Sequence, residues 1–107
     1  DAIRATARAY LDFARKHPAL YAIKMHHCKT GDVEPASHGE VWAFVLALTE
    51  GLRTPWSQAD LAMSLWAGLH GLVELDRSDR LGGRDAHEAL DVMIDLVLAG
   101  AASGVRC

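Results

Sequence analysis

Residues 64–75, Ser64-Leu-Trp-Ala-Gly-Leu-His-Gly-Leu-Val-Glu-Leu75, place their apolar side chains three and four positions apart and contain no proline. That period belongs to a helix, because a half-buried strand alternates at two. Trp66 and His70, four apart, are neighbours on one face that Met63 and Val73 extend. Ser64, Ala67, Gly68 and Gly71 make a side of small residues. Each glycine inside a helix costs about 1 kcal/mol relative to Ala, and the close approach of another helix is the usual compensation.

The same period runs outward in both directions. Thr54-Pro55 reads as an N-cap and first helical residue, opening a helix that continues to about Asp76. Upstream, Asp1 to Lys16 reads as an amphipathic surface helix: Ile3, Ala7, Tyr10, Leu11 and Ala14 share a face, and Arg4, Arg8, Asp12 and Arg15 point away from it. Arg8, Asp12 and Lys16 stand four apart, the spacing for ion pairs along one helix. His17-Pro18 breaks this helix, since Pro18 disfavours helical geometry at His17, and a short helix follows to about His27. Lys29 to Pro35 is a polar turn. Pro35 opens a third helix to about Leu52, with Val41, Phe44, Val45, Leu48 and Leu52 as its stripe, Trp42 and Leu46 flanking it, and Gly51 closing or weakening its end.

Downstream, Gly82-Gly83 marks a connection, and Asp85-Ala-His-Glu88 has the form of a capping box that launches a fifth helix to about Ala102. Its first half has a polar side at Glu88, Asp91 and Asp95, but Leu96 to Ala102 has no polar residue. A helix apolar all round must be covered all round. One small domain of five helices cannot easily surround its own last helix, so a second copy of the chain is the economical cover. The expectation is an all-α, single-domain chain over residues 1–107 that forms a homodimer. The candidate interface is Ser64, Ala67, Gly68, Gly71 and Leu75 on one long helix and Met93, Leu96, Val97, Gly100 and Ala101 on the last.

A length of 107 residues suits one domain with its own apolar core. Half of the residues are hydrophobic and 23% are charged, the balance of a globular chain. Eleven Lys and Arg against fourteen Asp and Glu leave a net charge of −3 with no basic run, which argues against these residues gripping nucleic acid themselves. The six histidines would carry that charge to +3 in mild acid. Cys28 and Cys107 do not make a disulfide framework, which favours a reducing cytoplasm. No apolar run approaches a membrane span. The chain starts at Asp1 without an initiator Met and within a helix, so it reads as a fragment of a longer protein.

Catalytic patterns are absent: there is no G-x-S-x-G and no phosphate-cradling glycine loop. His26, His27 and Cys28, with His17 and His38, invite a metal reading. Adjacent helical residues point about 100° apart, however, so His26 and His27 cannot readily share an ion, and neither C-x-x-C nor H-E-x-x-H occurs. No metal and no cofactor is expected; the imidazoles suit a solvated helix end. Tyr21, Met25, Trp42, Met63, Trp66 and His70 are candidates to line an apolar ligand pocket, with Phe44 beside them. Ordinary core packing accounts for any one of them equally simply. A lone imidazole on an apolar face, such as His70, is most commonly a buried, hydrogen-bonded structural group, less commonly a pocket's polar point, and least commonly a catalyst or metal ligand.

Ala9-Tyr10-Leu-Asp-Phe13-Ala14-Arg-Lys-His17-Pro18-Ala-Leu20-Tyr21, followed later by Leu65-Trp66-Ala-Gly-Leu-His70-Gly71-Leu-Val-Glu-Leu75, resembles the C-terminal regulatory domain of TetR-type transcriptional regulators. Within that family the likeness is to a subgroup marked by a Trp, His and Gly in the penultimate long helix. It extends from Asp1 to about Ala102. The resemblance implies an all-helical ligand-sensing and dimerising domain whose last two long helices pair with those of a second subunit in a four-helix bundle. It also implies an N-terminal helix-turn-helix domain, which these residues lack, so DNA would be reached only through that absent domain. No effector identity carries over, because ligands and pocket residues vary across the family.

The resulting expectation is a non-enzymatic sensor and dimerisation domain, binding an unknown small apolar effector, of a cytoplasmic transcriptional regulator. The alternatives are a stand-alone helical module that binds a small molecule and a small enzyme using His70.

Overall fold

The computed structural model describes residues 2–20 and 36–103, with side chains described for 2–20 and 41–103. Four helices follow in order: α1 (Ala2–Lys16), α2 (Ala36–Leu48), α3 (Gln58–Arg77) and α4 (Ala86–Ser103). Residues 18–20 are helical as well, beyond a non-helical His17, as the His17-Pro18 break requires. No strand occurs among the described residues, and the all-α expectation is met. The rest of the expected second helix, the turn at Lys29 to Pro35, and Tyr21, Met25, His26, His27, Cys28 and Cys107 lie outside the described residues.

Helix ends follow local chemistry more finely than the sequence reading. The N-cap of α3 is Ser57 rather than Thr54: the Ser57 hydroxyl accepts from the Asp60 N–H at 3.0 Å, with the Asp60 carboxylate in the positive first turn. The Thr54 hydroxyl instead accepts from the Trp56 N–H at 3.3 Å, a local turn that competes with helix. The far end of α3 closes with Asp79 in the left-handed region (φ 57°). The Arg80 N–H bonds the Leu75 carbonyl at 2.8 Å and the Asp79 N–H bonds Asp76 at 3.1 Å, the paired bonds of a Schellman motif. The Asp85 carboxylate accepts from the Glu88 N–H at 3.0 Å, as the capping-box spacing predicts for α4. Helix α2 stops at Leu48, short of Leu52, and the turn beyond it passes through Gly51 at φ +80°.

Helices α3 and α4 pack on each other, and α1 crosses both. Leu11, Leu90, Ile94 and Val73 are the largest fully sealed side chains, joined by Ala7, Ala14, Leu61, Leu65 and Ala86. Sealing each large one contributes roughly 1.5–3 kcal/mol. Gly68 lets α3 and α4 approach, because a Cβ there would lie 2.7 Å from the Met93 sulfur and 2.9 Å from its Cγ. Gly71 meets nothing within 4 Å, so close approach within the chain explains the first glycine and not the second. The stripe read on α2 is inward only in part, since Val41, Val45 and Leu48 are half-buried but two of its members are not. Phe44 is 54% exposed and Leu52 41%, while Thr49 is buried with its hydroxyl donating to the Leu46 carbonyl at 2.8 Å. With apolar residues on every side of α2, periodicity has no polar face from which to orient it.

The charged face of α1 is partly exposed but is paired with the neighbouring helices. Arg4 bonds Asp91 at 3.0 Å and Asp95 at 2.7 Å, and Arg8 reaches the second oxygen of Asp91 at 2.5 Å. Asp12 faces His87 at 2.9 Å, and Arg15 holds Asp76 through two parallel bonds of 2.8 and 3.1 Å. Arg8 and Asp12, spaced for an ion pair along α1, thus each meet a residue of α4. Hydrogen bonds from Arg4 and then Arg8 hold the Asp91 carboxyl below its ordinary value. A lowered folded pKa contributes stability above the unfolded value of about 3.9, and that stability is lost as pH falls through the lower folded value. Asp91→Asn is therefore expected to lower the urea midpoint at pH 7, and the gap from wild type should close as pH drops below the Asp91 pKa. A gap that persisted in strong acid would mean the clasp is not electrostatic.

Candidate functional site

Four rings gather where α1, α2 and α3 meet. Trp66 and His70, one turn apart on α3, are stacked with centroids 5.0 Å apart. Trp42 from α2 meets Trp66 edge-on at 6.0 Å, and Tyr10 from α1 meets His70 edge-on at 5.1 Å. The helical spacing of four sets the first contact, whereas the other two depend on how the helices pack. The His70 Nδ1 lies 3.0 Å from the Trp66 carbonyl, which can only accept, so Nδ1 carries the proton. In the neutral ring Nε2 is then an acceptor, and the Tyr10 hydroxyl donates to it at 3.0 Å. Both imidazole nitrogens are thus engaged, as in the structural reading of His70.

Beside this cluster lies a cavity of about 60 Å³. Helix α1 supplies Ile3, Thr6 and Ala7, α2 and its end supply Val45, Leu48 and Thr49, α3 supplies Leu65, Trp66 and Leu69, and α4 supplies Met93 and Ile94. Among the described residues no ionisable side chain lines it. The Thr49 hydroxyl is already donating to the Leu46 carbonyl. Among the described residues no buried side-chain nitrogen or oxygen is left without a partner.

The residues named from sequence thus divide. Trp42, Trp66 and His70 come together, and Trp66 also borders the cavity. Met63 is 52% exposed, and Tyr21 and Met25 lie outside the described residues. Of the interface candidates, Ser64, Ala67, Gly71, Leu75, Leu96 and Gly100 are exposed. Met93, Val97 and Ala101 are half-buried and pack on the chain's own core, and Gly68 is half-buried beneath Met93. Sequence reasoning missed Tyr10 as the partner of His70, and missed the cavity walls on α1 and α4. It also missed the Arg4/Arg8 and Asp91/Asp95 clasp, although two basic residues four apart and two acidic residues four apart are a legible complementary signal. Among the described residues no group of His, Cys, Asp and Glu is arranged to hold a metal ion.

The fold and site define an all-helical domain with an aromatic cluster, an apolar cavity between its helices, and apolar surface left outside. The chain matches the family model described as "Tetracyclin repressor-like, C-terminal domain" over residues 3–97, and it belongs to that family. This is a family of regulatory rather than catalytic domains. No curated protein and no solved structure matches the chain. None of the described helices is long and apolar enough to cross a membrane.

The bond between Tyr10 and His70 has a direct test. Tyr10→Phe keeps the ring but removes the donor to Nε2, at an expected cost of about 1 kcal/mol in chemical denaturation. Nitrogen NMR of the imidazole should show the Nε2 resonance moving while Nδ1 stays protonated. An unmoved Nε2 would show that the hydroxyl does not serve it.

Proposed function

We propose that this chain is the effector-sensing and dimerisation domain, a single unit over residues 1–107, of a TetR-like transcriptional regulator of the cytoplasm. DNA would be read by an N-terminal helix-turn-helix domain outside these residues. The observation that best supports this is the outer face of α4. Val92 is 56% exposed and Leu96 69%, and exposed Ala99 and Gly100 continue the strip. On α3, exposed Ser64, Ala67, Gly71 and Leu75 present a shallow surface, and Gly71 has open space before it. An apolar strip on a helix whose opposite side is core is suited to a second copy of the same helix pair, since a twofold interface brings one patch against itself. A stable contact of this kind buries over about 1,000 Å².

A small apolar effector held among the helices, with Trp42, Trp66 and His70 as candidate contacts and Tyr21, Met25 and Met63 completing the set read from sequence, would act by population shift. It would favour one arrangement of the dimer and so alter the spacing of the two DNA-reading heads. Trp66, His70 and Gly71 support placement in the Trp-His-Gly subgroup. The stand-alone binding module keeps the pocket but leaves the outer face of α4 without a purpose. Catalysis by His70 is disfavoured by the engagement of both its nitrogens.

Sedimentation of the chain at concentrations on the order of tens of micromolar is expected to show a dimer. Leu96→Glu should give a folded monomer, because Leu96 is outside the core of its own chain; a monomeric wild type would overturn the dimerisation reading. The chain itself, at net charge −3, should show no salt-sensitive, sequence-specific affinity for duplex DNA, which has to draw on counterion release. Nanomolar binding to a defined operator would place DNA reading within these residues.

A further inference from the structure

Met93 stands at two places at once. It is one wall of the cavity, together with Ile94 of the same helix, and its thioether also rests on the bare backbone of Gly68. Three of the other walls are held in place: Ile94 is sealed, Trp66 is held by Trp42 and His70, and Thr49 is tied to the end of α2. Met is unbranched and polarisable, and it refills space at low cost. At about 60 Å³ the cavity is small, well below the roughly 150 Å³ of an apolar cavity that stays dry and takes benzene or xenon.

We propose that this cavity is the effector's binding site, that it takes an uncharged molecule presenting hydrocarbon or aromatic surface without hydrogen-bonding groups, and that Met93 on Gly68 is its adjustable wall. This rests on the effector-sensing reading and narrows it: of Trp42, Trp66 and His70 only Trp66 borders the cavity, and the other two rings lie in the cluster beside it. Among the described residues the walls offer no charge, the Thr49 hydroxyl is spent on Leu46, and despite Thr6 the lining surface is almost wholly apolar, so a charged or strongly polar guest would give up its hydration without replacement. Of its walls the Met93 thioether is the unbranched one that can swing aside to enlarge the cavity, and the gap over Gly68 is where it is seated. Because Gly68 also sets how closely α3 and α4 approach, a guest that shifts Met93 acts on the helix pair that carries the outer apolar face.

The test uses the whole chain with xenon, which fits a small void, benzene, which needs Met93 to move, and benzoate as a charged counterpart of similar shape. Methyl NMR is expected to show xenon and benzene shifting Ile3, Leu65 and Ile94, with benzoate leaving them in place. Gly68→Ala crowds the Met93 sulfur and pushes the side chain into the cavity, so benzene affinity should fall at least tenfold. Adding Met93→Ala to Gly68→Ala should restore it. If Gly68→Ala does not fold, Ala7→Leu fills the same space from α1 and should abolish binding of both apolar probes. Benzoate binding as well as benzene, shifts confined to the outer face of α4, or unchanged benzene binding in a folded Gly68→Ala or Ala7→Leu variant would each overturn the proposal. Such a failure in a chain that still sediments as a dimer would remove this cavity and leave the regulatory reading intact; a monomeric chain that binds benzene in the cavity would do the reverse.

Discussion

The close approach of α3 and α4 at Gly68 is the constraint on which the remaining structure depends. Only a residue without a side chain admits the Met93 thioether at 2.7–2.9 Å from where a Cβ would stand. With Met93 seated there, Ile94 on the next position of α4 turns fully into the core beside Leu65. Leu90, Val73 and Leu61 then complete one continuous apolar layer against which Ala7, Leu11 and Ala14 of α1 lie. The helical cost of the glycine, about 1 kcal/mol, is offset by side chains worth more than that each when sealed.

Helix α4 consequently carries three separate surfaces. Ala86, Leu90 and Ile94 face inward. Asp91 and Asp95 lie toward α1 and receive Arg4 and Arg8, a network whose members are partly exposed and whose worth lies in fixing which side of α1 meets α4 rather than in raw stability. Val92, Leu96 and Ala99 are exposed on its outer side. The cavity opens where α1, α2, α3 and α4 all contribute walls, so any change in one helix's seating is felt there, and packed cores respond to such changes in steps rather than by smooth deformation.

The aromatic cluster and the cavity do different work. Trp66 belongs to both: its ring is clamped by Trp42 and His70, and its flank borders the void. His70, bonded through both nitrogens, fixes the orientation of Tyr10 and so of α1 against α3. The polar atoms in this region are directed at one another, which leaves the neighbouring void with apolar walls. The sealed core is aliphatic, built of Leu, Ile, Val and Ala, and the rings stand half-buried at its edge.

Local patterns in the sequence were enough to determine the helical class, the break at His17-Pro18, the cap at Asp85 and the unusual apolarity of the last helix, because each depends on residues within a turn or two of one another. They also singled out Trp66, His70 and Gly71, since a spacing of four makes neighbours on any helix. Tertiary structure alone decided that Ser57 rather than Thr54 caps α3, where two competing local signals lie three residues apart, and that Phe44 faces out of an apolar helix with no polar side to orient it. Packing likewise decided that Arg4 and Arg8 answer Asp91 and Asp95, that Tyr10 completes His70, and that Met93 faces inward onto Gly68 while Leu96 faces out. Each of those outcomes joins residues far apart in the chain, and long-range partners are set by how helices rotate and approach in packing, a degree of freedom that periodicity along one helix does not encode.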